Sequence, residues 1–179
     1  MSTIEQPTNA HISDLSRAEI DTILTRNHVG RVAFSFHDHV DIQPIHYVYK
    51  DGWIYGRTSK GSKLDTIAHH MWVAFEVDEV VAIFEWRSVV VRGAFYVMNA
   101  HTSPQPHPSD TSVQEDPAFA HSVGLLRSFL PDTLLASDPV PFRYTVFRIH
   151  LDEVTGREAK PTATPAVKEP IGTSRGKSR

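Results

Sequence analysis

A mainly β (α+β) domain, an antiparallel sheet wrapped into a barrel with helices outside it, is the fold class this 179-residue chain predicts. Three observations predict it. Apolar residues recur with period two in several short runs, as in "GRVAFSF", where Val32, Phe34 and Phe36 alternate with Arg31, Ala33 and Ser35. Asp51-Gly52 sits between two such runs, the strongest short-range hairpin signal. The remaining strands are joined by hairpins or short excursions, which favours an antiparallel sheet closed on itself.

The elements follow in order. Residues 1–12 are polar and are expected to be a flexible N-terminus. In "LSRAEIDTILTRN", Ser16 and Glu19 form a capping box, Leu15 and Ile20 a hydrophobic staple, and Ile20, Ile23 and Leu24 one apolar face. Asn27 is expected to end this helix in a left-handed conformation. "HDH" is a turn, and "VDIQPIHYVYKDGWIYGRT" is the hairpin. Pro44 lies inside its first strand and demands an edge, an end or a bulge, because it cannot donate to a ladder. A short helix is expected around "KLDTIAHH", then a strand "MWVAFEV", a turn over 78–85, and a long strand "WRSVVVRGAFYVM" in which Gly93 marks a bulge or bend. Pro104, Pro106 and Pro108 make residues 99–114 a surface loop. Asp116-Pro117 opens a helix in N-cap and first-turn order, ending at Pro131. "FRYTVFRIHLDEV" closes the folded part. The total is about six strands and three helices in one domain, 13–159, with Trp53 and Trp72 expected in the core.

Bulk properties exclude several function classes. The longest apolar runs are too short to cross a bilayer, and no basic start or apolar core of a signal peptide is seen, so no membrane association is expected. The chain has no cysteine, which rules out disulfides, thiolate metal sites and a cysteine nucleophile and fits a reducing, cytoplasmic setting. From Lys160 onward there are five cations and one anion; the rest carries 13 cations against 20 anions. The body is therefore acidic, which argues against nucleic acid as a partner, and residues 160–179 read as a disordered basic tail. Eleven histidines invite a metal, but no H-E-x-x-H or comparable i, i+4 pair occurs, so no metal site is expected.

The chemistry concentrates in "YGRTSKGSKLDTI". Arg57, Lys60 and Lys63 supply charge, Thr58, Ser59 and Ser62 supply hydroxyls, and Gly61 lets backbone approach closely. Ser62 and Asp65 suit the capping box of a helix beginning near Lys63, whose free N–H groups favour an anion. The same residues also suit a polar turn with solvated lysines and an ordinary cap. The spacing is not that of a P-loop.

The order strand, Asp-Gly turn, strand and "RTSKGSKLDTI", with Thr58, Ser62, Lys63 and Ile67, resembles the FMN-binding split-barrel family related to pyridoxamine 5′-phosphate oxidase. "WRSVVVRG" at 86–93 and "FRIHLDEVTGREA" at 147–159 resemble its nitroimidazole-resistance branch. The resemblance implies a six-stranded antiparallel split β-barrel with flanking helices, forming a homodimer with FMN at the interface. It implies that Arg57, Thr58, Ser62 and Lys63, with Ser59 and Gly61 beside them, hold the phosphate. Gln43, Pro44, Ile45, His46 and Tyr47 would line the ring system, and the partner subunit's Trp86 and Ser88 would approach it. His46 is the candidate to protonate or orient a substrate. The implied activity is an FMN-dependent oxidoreductase of flavin-reductase or nitroreductase type acting on a small molecule. The oxidase's substrate-binding C-terminal segment has no counterpart in "TGREAKPTATP", so pyridoxamine phosphate is not the expected substrate. The alternatives are the same fold with a deazaflavin or haem, or a non-catalytic flavin-binding sensor.

Overall fold

The computed structural model describes residues 10–36, 39–59, 72–99 and 116–162. Its elements are β1 (Ala10–Asp14), α1 (Arg17–Arg26), β2 (Val29–Phe36), β3 (His39–Lys50), β4 (Trp53–Thr58), β5 (Trp72–Ala82), β6 (Glu85–Val97), α2 (Pro117–Phe129), β7 (Thr145–His150) and β8 (Glu153–Pro161). Every pairing is antiparallel. Six strands close a ring in the order β2-β3-β4-β7-β6-β5, with β5 returning to β2; β8 and β1 extend the sheet outward from β6. This is a six-stranded split barrel.

Local sequence explains the elements that form. Ser16 caps α1: its backbone N–H donates to the Glu19 carboxylate at 2.8 Å, and Glu19 N–H donates back to Ser16 Oγ. Asp51 and Gly52 both have positive φ, 49° and 79°, the two-residue turn that matches strand twist. Asp116 accepts from Ala118 N–H at 2.8 Å, with Pro117 opening α2. Inside the ring, Val32, Phe34, Ile45, Tyr47, Ile54, Phe75 and Phe147 pack together, and α1 adds Ile20, Ile23 and Leu24. A second cluster, Tyr55, Val123, Leu126 and Val146, seats α2 on the outside of β4 and β7.

Gly93 is the point where β6 changes partner. Residues 86–92 pair with β8 and residues 95–97 with β7. A Cβ at position 93 would lie 1.7 Å from the His150 carbonyl oxygen, so only glycine lets the two strands cross.

Five expectations are corrected. Residues 10–12, expected in the flexible N-terminus, belong to β1, which pairs with β8 as an edge strand. Residues 78–85 are not a turn: β5 continues to Ala82 and reverses at Ile83-Phe84. Asn27 ends α1 in extended conformation (φ −95°, ψ 149°), and its side chain donates to Ile23 O at 2.9 Å and to Glu79 at 2.6 Å. The closing strand is two strands, β7 and β8, broken at Leu151-Asp152, with Phe142–Tyr144 outside both. Trp72 is 65% exposed rather than core. The expected helix around "KLDTIAHH" and most of the proline-rich loop lie outside the described residues.

Candidate functional site

The barrel splits at β3. Residues 39–46 pair with β2, while Tyr47–Lys50 pair with β4. The last β3–β4 pair is Tyr47↔Gly56; beyond it β4 continues alongside β7, with Arg57 opposite Val146 and Thr58 opposite Thr145. A fork therefore opens between Ile45-His46 on one arm and Arg57-Thr58 on the other.

Strand periodicity fixes what each residue of the first arm offers. Tyr47 N–H donates to His28 O at 3.0 Å, so the N–H groups of 43 and 45 share the β2 side and positions 44 and 46 point to the open side. Pro44 thus sits where its missing N–H breaks no ladder bond, which is the first of the three settings, edge, end or bulge, that its sequence allowed. Ile42 N–H, also on that side, is taken by its neighbour's carboxylate, Asp41 Oδ1, at 2.8 Å. Side chains alternate likewise. Ile45 and Tyr47 are buried in the barrel, and His46 is exposed. Burial pushes the Tyr47 phenol well up from its ordinary range, and its hydroxyl finds no partner among the described residues. Tyr47 therefore offers the open side neither its side chain, buried in the barrel, nor its N–H, taken by His28 O, and the ring contact the resemblance implied for it is not formed from this position. Gln43 is half-buried and its amide donates to Asp41 Oδ2 at 3.3 Å.

Two residues not singled out from sequence stand beside His46. Phe129, at the end of α2, stacks on the His28 ring with centroids 4.1 Å apart and lies 6.3 Å from the His46 ring. An aromatic wall and two imidazoles therefore adjoin the fork.

On the second arm, Arg57 is 3% exposed. Its guanidinium forms a bidentate pair with Asp138, Nη2 donating to Oδ1 at 3.0 Å and Nη1 donating to Oδ2. Asp138 also accepts Leu134 N–H at 2.8 Å and Val140 N–H at 2.9 Å. Arg57, above all, and the two N–H donors hold the Asp138 carboxyl well below the usual carboxylate range. Arg57 is thus neutralised and buried, where the resemblance implied a phosphate ligand. Thr58 is half-buried and Ser59 exposed. Lys60, Gly61, Ser62 and Lys63 lie outside the described residues.

Trp86 and Ser88 stand elsewhere in the protomer. Both line a cleft of about 720 Å³ with Leu15, Ile20, Arg92 and Arg157. Ser88 Oγ donates to Glu76 Oε1 at 3.2 Å. Registered neighbours share a face, and the chain of registers Ser88↔Asp78, Glu76↔Arg31 and Arg31↔Pro44 puts Trp86 and Ser88 on the same outer face as Pro44 and His46, with β5 and β2 between. Arg31 bridges that face, bonding Glu76 at 2.8 Å and also Asp78. Among the described residues no group of three or more His, Cys, Asp or Glu is arranged to hold a metal, and no helix is long and apolar enough to cross a membrane.

A protein-family model described as pyridoxamine 5′-phosphate oxidase matches residues 16–105, just over half of the chain. No curated protein matches it by sequence. Among solved structures, it is similar to an FAD-binding protein from Mesorhizobium loti, at 26% identity and a TM-score of 0.61 over 85% of this chain and 99% of that one. It is also similar to a protein named for 5-nitroimidazole antibiotic resistance from Bacteroides thetaiotaomicron, at 15% identity and TM-score 0.60, covering 85% and 90%. A third, an FAD- and haem-binding protein from Mycobacterium smegmatis, has 18% identity and TM-score 0.57, covering 86% and 76%. The last two establish likeness of fold alone.

Proposed function

We propose, for a chain that belongs to the pyridoxamine 5′-phosphate oxidase family, that it binds a flavin, in the form of FMN, and is an oxidoreductase acting on a small molecule. The observation that carries this reading is the fork beyond Tyr47 and Gly56, which sets an open strand edge, Gln43–His46, against the hydroxyl-bearing exit of β4. A flavin needs an apolar slot with a few oriented polar groups for its rings and a donor-rich pocket for its phosphate. The residues present suit both needs. Thr58 and Ser59 offer hydroxyls at the fork, and Lys60, Ser62 and Lys63 follow directly in sequence. The similarity to an FAD-binding protein supports a flavin over other ligands.

When bound, a flavin would supply the electron transfer. The chain's own residues bind and position. Backbone groups of 44 and 46 on the open side orient the ring edge, and Phe129 shields one side of His46. His46, exposed beside the edge, donates or accepts a proton at its imidazole.

The assembly we propose is a homodimer. Val29, Ile42, Trp72 and Val80 are exposed apolar residues on the outer face of the β3–β2–β5–β6 sheet, the face that carries Trp86 and Ser88. A two-fold axis packing this face on itself brings the partner subunit's Trp86 and Ser88 to each fork.

Fluorescence titration with FMN and riboflavin tests the reading. Wild-type protein should prefer FMN. Lys63→Ala should lose about 1.5–3 kcal/mol of FMN binding, roughly tenfold or more in Kd, with riboflavin unaffected. A protein that binds neither flavin, or that purifies with a Soret band, refutes it.

A further inference from the structure

We propose that Asp138 is a positioning residue for the cofactor phosphate, acting through Arg57, and that it sets the preference for a phosphorylated over an unphosphorylated flavin. The inference rests on the flavin reading above.

Arg57 immediately precedes Thr58 and Ser59, the first hydroxyls of the second arm. Successive side chains of a strand point to opposite faces, so Thr58 faces away from Arg57. Arg57 instead enters the segment that follows α2 and meets Asp138, itself 7% exposed. The Asp138 carboxylate takes four hydrogen bonds, two from the guanidinium and two from the N–H groups of Leu134 and Val140. It therefore satisfies a buried cation and pins the 134–140 turn to the end of β4 in one contact. Five residues after Val140 comes Thr145, the ladder partner of Thr58. Thr58 is consequently held from two sides: by its own neighbour, through Arg57 and Asp138, and by Thr145, at the end of the same anchored segment.

Charge decides what this clamp does for a phosphate. A bidentate carboxylate cancels the Arg57 charge, and a nearly fully buried guanidinium has little surface to offer a ligand. Arg57 thus acts by geometry. Its carboxylate partner lies 81 residues away in sequence, so an oriented polar clamp has been built at the residue adjoining the phosphate donors. Charge-assisted hydrogen bonds to phosphate depend on donor placement to within about half an ångström. A flavin without phosphate makes no use of that placement.

The test is Asp138→Asn in the full chain, with Kd measured for FMN and for riboflavin by flavin fluorescence and fold checked by circular dichroism. FMN affinity should fall at least about tenfold and riboflavin affinity less than twofold. Arg57→Met with Asp138→Leu serves as the second variant, because apolar replacement of a buried pair generally preserves the fold. It removes both charges, so a collapse of the FMN/riboflavin ratio there cannot be assigned to an uncompensated arginine. A ratio kept at its wild-type value in either folded variant, or equal loss of both flavins, overturns the proposal. Absence of any FMN preference in the wild-type protein sinks the flavin reading instead.

Discussion

At position 93 one methyl group decides whether β6 can serve two partners. Its neighbours on that side change from β8 to β7 within two residues, and the His150 carbonyl passes directly over the Gly93 α-carbon. The obstacle is backbone, not the end of a flexible side chain, so it cannot swing away. Gly93→Ala should cost about 3 kcal/mol or more, read as a fall in the denaturant midpoint at unchanged slope. A midpoint within about 1 kcal/mol of wild type would mean that β6 and β7 separate easily at the crossing. Gly52 sits in the left-handed region with open space around it, so substitution there would strain only the turn.

Helix α1 shows how far an element is specified within itself. Ser16 and Glu19 exchange hydrogen bonds across three residues, and Ser16 draws the Glu19 carboxyl below its ordinary range. Ser16→Ala should cost about 1 kcal/mol, seen as a lower melting temperature with the flavin affinity intact. Elements of this kind were legible in the sequence because their determinants lie within about four residues: the Ser16 box, the Asp51-Gly52 turn, the Asp116-Pro117 start. Gly93 was legible as a bulge or bend, and Pro44 as an edge, an end or a bulge. What could not be read depends on distant partners. Ala10–Asp14 is a strand only because β8 lies beside it, and its two alternating apolar residues, Ala10 and Ile12, are too few to mark a strand on their own. "DEVVA" at 78–82 does not alternate either, yet β6 carries β5 through it, leaving Val80 and Val81 exposed. The site divides the same way. That Gln43–His46 and Thr58 lie in strands was legible from local pattern, while their link to a cofactor came from the family resemblance; Asp138 in "SDPVP" reads as an ordinary turn residue until the fold delivers Arg57 to it.

Two properties belong to the molecule as a whole. The first is its response to acid. Asp138, held down mainly by Arg57, Glu79, held down mainly by Arg26, and Glu158, held down mainly by Lys160, all titrate below their unfolded values in the folded chain. A depressed carboxyl contributes stability that is complete above the ordinary Asp and Glu values, 3.8 and 4.5, and is lost as the pH falls through the folded value. Stability should be flat in this respect above about pH 5 and fall steeply below pH 4. Added salt should weaken the exposed Arg26–Glu79 contribution more than the buried Arg57–Asp138 one. Circular dichroism melts from pH 3 to 7 would expose a departure.

The second property is the proposed sharing of each flavin site between two protomers. If the fork supplies the phosphate half and the partner subunit's Trp86 the other, a protomer carrying Lys63→Ala and one carrying Trp86→Ala are each defective alone in a different half. Mixed by unfolding and refolding together in equal amounts, random pairing gives about half mixed dimers. Each mixed dimer contains one site with both defects and one with neither. About a quarter of all sites should therefore regain tight FMN binding, although neither parent has any. A site built within one protomer regains none, because each protomer keeps its own lesion. The titration endpoint of the mixture thus separates a shared site from a private one without knowledge of the substrate, and it does so even where both assemblies are dimers by mass.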